Sequence, residues 1–173
     1  AAYYLYKNTK FVAGSKPIIF FIGDEKPYST VNQSQAEQFD IECLESGIKP
    51  FELLRKKVND NVFMLLNKYA SRYFEDDTVA CWEKLLASEH VIKIGEEKAI
   101  VDLMLGIISM VSSTRTLETY KIDMLDRGQT QARIEGVSKS LKGLSTALVP
   151  VKVSGTIAKT TSDKKSTQKG KRL

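Results

Sequence analysis

The sequence predicts an α/β fold, a doubly wound, mostly parallel sheet of about three strands extended at its C-terminus by helices. The first observation is Lys16-Pro17-Ile18-Ile19-Phe20-Phe21-Ile22-Gly23-Asp24, an unbroken apolar run of β-branched and aromatic residues stopped by a Gly-Asp break. Runs without polar alternation are strands buried on both faces. Val62-Phe63-Met64-Leu65-Leu66 repeats the pattern, and Val91-Ile92-Lys93-Ile94, stopped by Gly95, repeats it in shorter form. The second observation is that the segments between these runs carry helical periodicity. Strand–helix–strand alternation marks right-handed βαβ crossovers and a parallel sheet.

Residues 1–9 open the chain as a helical fragment, before any strand. After the first strand, Ser34 with Glu37 has the spacing of a capping box, and Phe39 with Cys43 gives the helix behind it an apolar face. Pro50 suits a first helical position, and Phe51, Leu54 and Val58 then fall on one stripe. After the second strand, Asp76 and Asp77 precede Val79, Trp82, Leu85 and Leu86, placing acids at the positive end of a helix. The helix after the third strand is the most apolar, with Ile100, Leu103, Met104, Ile107, Ile108 and Val111 on one side and Val101, Leu105 and Met110 on the other. It needs cover on both sides. Leu117, Tyr120 and Met124, then Ile134, Val137, Leu141 and Leu144, form two further amphipathic segments that can supply it, with Gly128 between them at a helix C′ position. The expected organisation is an α/β domain over residues 1–112, a helical extension over 113–145 and a disordered basic tail over 146–173. Three strands make a small sheet, and a helix with no strand before it completes no crossover, so the N-terminal half of the domain is expected to be missing from this chain.

Charge narrows the partners. The formal net charge of +5 would prompt a search for a polyanion, but the last twenty residues hold six bases against the single acid Asp163, leaving residues 1–153 with 20 of each sign. The positive charge therefore belongs to the tail. Lys164, Lys165, Lys169, Lys171 and Arg172 are its candidate polyanion contacts, although no aromatics are interleaved for stacking on bases and a merely solubilising end explains them as well. No apolar stretch approaches the roughly 18–20 residues of a membrane span, so no membrane is expected. Cys43 and Cys81 stand far apart with no partner at metal-ligand spacing, so neither a disulfide framework nor a zinc site is indicated, and a reduced, intracellular, cytoplasmic setting is expected. Phosphate-binding glycine loops are absent, so nucleotide binding by those routes has no support.

In open α/β sheets ligands sit outside the carboxyl ends of the strands. Gly23-Asp24-Glu25 occupies that place on the most apolar strand: Gly23 allows close approach, and Asp24 offers a hard oxygen for Mg²⁺. The plainer reading is that Asp24 caps the turn before Lys26-Pro27. Asp76 and Asp77 lie on the same rim and could support a ligand there, though helix N-capping accounts for them too. His90, the only histidine, starts the third strand at the opposite end, which removes histidine-based triads from the expected cleft.

These residues resemble a known family. IIFFIGDEKPY is similar to the strand and loop of von Willebrand factor A-type (vWA-like) domains, where an apolar strand ends in an Asp of the metal-ion-dependent adhesion site. AAYYLYKNTKF, LLRKKVNDNVFMLLNKY and VIKIGEEKAIVDLMLGIISMV resemble the helix–strand succession around it, so that the likeness covers residues 1–112. The resemblance implies a non-enzymatic protein-interaction module in which Mg²⁺ bridges to an acidic group of a protein partner. It also implies Asp24 as a metal ligand, with Glu25, Asp76 and Asp77 supporting that ligand or touching the partner. The family's site draws on three loops, including an Asp-x-Ser-x-Ser that occurs nowhere here, so the site is incomplete and Mg²⁺ is expected to be weak or absent in this chain alone. The alternatives are a Mg²⁺-dependent phosphoryl-transfer or hydrolase domain using Asp24, and a nucleic-acid-associated protein acting through its tail.

Overall fold

The structure is a computed structural model, and it describes residues 1–28, 30, 32–38, 49–68, 74 and 76–148. Its centre is a parallel sheet of order β1-β2-β3, formed by β1 (Ile19–Gly23), β2 (Val62–Leu66) and β3 (Val91–Lys93). Phe20 stands opposite Phe63, and Leu65 opposite Ile92. The expected α/β class and its parallel sheet are therefore present, with helices on both faces.

Side chains on a strand alternate between faces, and β2 shows the consequence. Val62, Met64 and Leu66 face one layer, where they cluster with Leu54 of α3 (Lys49–Lys57), Val58 just after it, Val79, Trp82, Leu85 and Leu86 of α4 (Asp76–Leu86) and Ala2 of α1 (Ala2–Asn8). Phe63 and Leu65 face the other, where Ile92 and Ile94 join Leu103, Ile107 and Met110 of α5 (Ile100–Val111). Tyr120 and Met124 of α6 (Leu117–Asp126) and Ile134, Val137, Leu141 and Leu144 of α7 (Gln131–Leu148) complete that second layer. Each fully buried Leu or Phe of these clusters contributes about 1.5–3 kcal/mol relative to exposure. The C-terminal helices thus share one core with the sheet: the Ser140 hydroxyl of α7 donates to the Lys93 carbonyl at 2.7 Å.

Three details differ from expectation. β1 has the longest apolar run, yet it is only half-buried and Ile22 is 53% exposed. All five residues of β2 are buried. Among the described strands β1 is an edge and β2 has neighbours on both sides, and composition alone does not state position in a sheet. The Ser34–Glu37 capping box is not formed. α2 (Gln33–Gln38) starts earlier, the Ala36 amide donates to the Asn32 carbonyl at 3.0 Å, and the Ser34 hydroxyl donates to Asn32 Oδ1 at 2.7 Å. Asn32 is itself a favoured residue at a helix start. Phe39 and Cys43 lie outside the described residues.

The third difference concerns α5, whose outer arc of Val101, Leu105 and Ile108 is exposed while the polar Asp102 and Ser109 are buried. Pairing explains the inversion. Asp102 accepts from Arg127 at 3.2 Å and Arg133 at 3.4 Å, the Tyr120 hydroxyl donates to the Asp102 carbonyl, and the Ser109 hydroxyl donates to the Gly106 carbonyl at 2.9 Å. Buried polar groups are tolerated when their hydrogen-bonding capacity is met. Gly128, at φ 77°, turns the chain between α6 and α7 in the left-handed conformation the sequence requires of it.

Candidate functional site

The carboxyl end of β1 opens into a cleft of about 990 Å³, at the upper end of the range typical of ligand sites. Asp24, Glu25 and Lys26 follow directly from the strand and line it, together with Tyr3 and Tyr4 of α1 and Tyr28. Phe21 of β1, Phe51 of α3 and Trp82 of α4 form an aromatic wall. The ring of Phe51 lies 5.2 Å from that of Phe21 and meets Trp82 nearly edge-on, at 5.5 Å and 83°. The Phe51 and Trp82 rings belong to the helical stripes that bury against β2, so the same periodicity that builds the core also brings them to the cleft.

Two polar contacts fix the loop after β1. Trp82 Nε1 donates to the Glu25 carbonyl at 2.8 Å, and Lys26 Nζ bridges to Asp77 Oδ2 at 3.2 Å. Asp77 thus reaches the same rim as Asp24, through Lys26. Asp76 is exposed in the first turn of α4. The Lys26–Asp77 pair is solvent-exposed and contributes at most about 1 kcal/mol. It does, however, occupy the one lysine of the cleft lining among the described residues. Asp24 and Glu25 make no ion pair among the described residues. Lys164, Lys165, Lys169, Lys171 and Arg172 lie outside the described residues.

Tyr3 is 5% exposed, and its buried hydroxyl has no hydrogen-bond partner among the described residues. The place of Tyr3 beside the cleft is a feature that sequence reasoning missed. Nothing in a helical pattern of Tyr3, Tyr4 and Tyr6 states which of them will lie beside the end of a distant strand. Trp82 was legible as a core residue, but its polar edge and its place at the cleft were not.

The described residues do not by themselves make a metal site: among them, no three His, Cys, Asp or Glu side chains come together to hold an ion. Asp24 would be a single ligand, short of the six or more oxygens these cations take. His90 sits in the short 3-10 turn Ser88–His90 before β3, at the end of the sheet remote from Asp24, with its ring 4.6 Å from that of Phe63. Burial lowers its pKa from the ordinary value, outweighing the opposing pull of neighbouring Glu89. No helix of the described residues is long and apolar enough to cross a membrane.

No family model matches the chain, and no curated protein or solved structure matches it.

Proposed function

We propose that this chain is a protein-interaction module that receives a segment of its partner in the cleft at the carboxyl end of β1. The observation that carries the reading is the combination, in one concave site of about 990 Å³, of an aromatic wall (Phe21, Phe51, Trp82) with the carboxylates of Asp24 and Glu25. Apolar walls supply affinity, and a few placed polar groups supply orientation. The resemblance of IIFFIGDEKPY to vWA-like domains accords with a binding role at this loop. In the metal-bridged form of the reading, Asp24 is one ligand of a Mg²⁺ ion whose other ligands come from outside the described residues.

Selection of peptides from a random displayed library against the full chain tests the reading. Selected peptides are expected to lose at least tenfold in affinity against Tyr28→Ser and Asp24→Asn. Both changes lie in the lining, and Tyr28 is exposed enough to be replaced without disturbing the core. Peptides that bind both variants as well as the parent chain would place the binding surface elsewhere. Repeating the selection with Mg²⁺ and with a chelator separates the metal-bridged form from direct recognition.

A further inference from the structure

We infer that the open edge of β1 is an interface with a second copy of this chain, in which two β1 strands pair antiparallel about a two-fold axis and join the two sheets into one; the inference goes beyond the cleft reading and does not rest on it. The backbone supplies the first argument. The Ile19 amide donates to the Asn61 carbonyl at 2.9 Å, and the Gly23 carbonyl accepts from the Asn67 amide at 2.7 Å. Main-chain polar groups alternate in direction along a strand, so Ile19, Phe21 and Gly23 turn theirs to β2 while Phe20 and Ile22 turn theirs outward, where no described strand receives them. Such a row of unpaired groups is a template for another strand.

The second argument is that the opposite edge of the sheet is guarded and this one is not. β3 is three residues long and carries the exposed Lys93. Short edges and edge lysines deter pairing. β1 is five residues long without a charge among them, and its Ile22 is 53% exposed. Charges stand only beyond its ends, with exposed Lys16 on one side and Asp24 on the other. Neither makes an ion pair among the described residues.

Charge complementarity then chooses both the occupant and the register. Lys16 and Asp24 lie at equal separations on either side of Phe20, so the segment is complementary to its own reverse. Opposed residues of an antiparallel pair must both turn their main-chain groups across the gap, which restricts the registers to steps of two. Pairing Phe20 with Phe20 of the second copy sets Ile22 against Ile18 of that copy and Lys16 against its Asp24, and the symmetry repeats both contacts. One step in one direction sets Lys16 against Lys26, and one step in the other sets it against Ile22. A parallel pairing would set like charges side by side. A single arrangement therefore joins opposite charges at both ends, and the same arrangement covers Ile22. Ile18 and Phe20 pack on the cluster beneath α5, and strand alternation puts Ile22 on that face as well, so the apolar layer continues across the axis.

The test is sedimentation velocity of the full chain from about 1 to 100 µM, which spans the dissociation constants of modest interfaces. Ile22 and Asp24 also border the cleft, so no peptide is added. A monomer–dimer equilibrium is expected, weaker at high salt. Lys16→Asp and Asp24→Lys should each weaken the dimer about tenfold, and the two changes together in one chain should restore it. Ile22→Lys, at an exposed position, should abolish the dimer with the circular dichroism spectrum unchanged. Amide exchange at Phe20 and Ile22 should slow as concentration rises, whereas Phe21, turned to β2, should change less. A chain that stays monomeric over the whole range would overturn the inference and leave the cleft reading standing. A dimer indifferent to Ile22→Lys, single charge reversals that the double variant fails to rescue, or open-ended growth beyond the dimer would each overturn it as well.

Discussion

The indole N–H of Trp82 donates to the carbonyl of Glu25 at 2.8 Å, joining the fourth helix to the loop that carries Asp24 across 57 residues of sequence. The bond satisfies a buried indole and at the same time holds the rim of the cleft against the aromatic wall. Trp82→Phe keeps much of the ring contact with Phe51 and removes the donor. It is expected to cost about 1 kcal/mol, read as a lower urea midpoint at unchanged slope. Hydrogen exchange at Asp24–Lys26 should rise together with it, whereas a purely structural tryptophan would leave that loop's protection unchanged.

Gly106 lies in the middle of α5, where a Cβ would stand 2.5 Å from Leu141 Cδ1 and 2.9 Å from Tyr120 Cε1. The Leu141 methyl can turn aside, but the Tyr120 ring is pinned by its hydrogen bonds to the Asp102 carbonyl and Arg127. Gly106→Ala gains up to about 1 kcal/mol in helix propensity and loses roughly 1–3 kcal/mol to overpacking. Net destabilisation is the expected outcome, measured by thermal unfolding. A gain in stability would show that α5, α6 and α7 do not approach this closely.

Ala87, which follows α4, has φ 69° and ψ 157°, a conformation open essentially to glycine alone. The strain arises because the chain must leave α4 and turn at once into the Ser88–His90 turn and β3, and the residue at the corner has a Cβ. Ala87→Gly should therefore stabilise the protein by about 1 kcal/mol, against the usual penalty for introducing glycine. Differential scanning calorimetry should show a rise in Tm of about 3 °C.

His90 is the only histidine, and burial against Phe63 lowers its pKa from the ordinary 6.5, with Glu89 and Asp60 opposing the shift and Arg55 adding to it. Its Nδ1 is buried without a partner among the described residues. The unfolded chain then binds a proton more readily than the folded one, so this contribution to stability is fully present above pH 6.5 and is lost as pH falls from there through the lower folded pKa. Chemical denaturation at pH 7.5 and at pH 5.5 should show lower stability at the acid value. His90→Gln should flatten that dependence, and an unchanged slope in the variant would assign it to other groups.

Much of the fold was legible because hydrophobic periodicity is local. Val62–Leu66 as a strand, the burial of Leu54 and Val58, and Asp76–Asp77 at a helix start all follow from residue order and appear in the structure, although Val58 lies one residue past the end of its helix. The carboxyl end of β1 as the place where a ligand would sit follows from the chain direction of parallel strands, and Asp24 and Glu25 do line the cleft there. Where long-range pairing decides, the sequence was silent. The burial of Asp102 in an apolar helix is decided only when Arg127, at the end of α6, and Arg133 of α7 are brought to it. β1 reads as a strand buried on both faces until its place at the edge of the described sheet is known.

Sequence by itself determined the class, the elements and the sign of the charge on the tail, because these depend on side-chain spacing and composition within a few residues. Tertiary structure alone decided which face of α5 is buried, that the helices after it cover one side of the sheet, and that Tyr3, Phe51 and Trp82 meet Asp24 around one cleft. Those are contacts between residues far apart in the chain. Their free energies come from desolvation and close packing, which exist only once the layers are assembled.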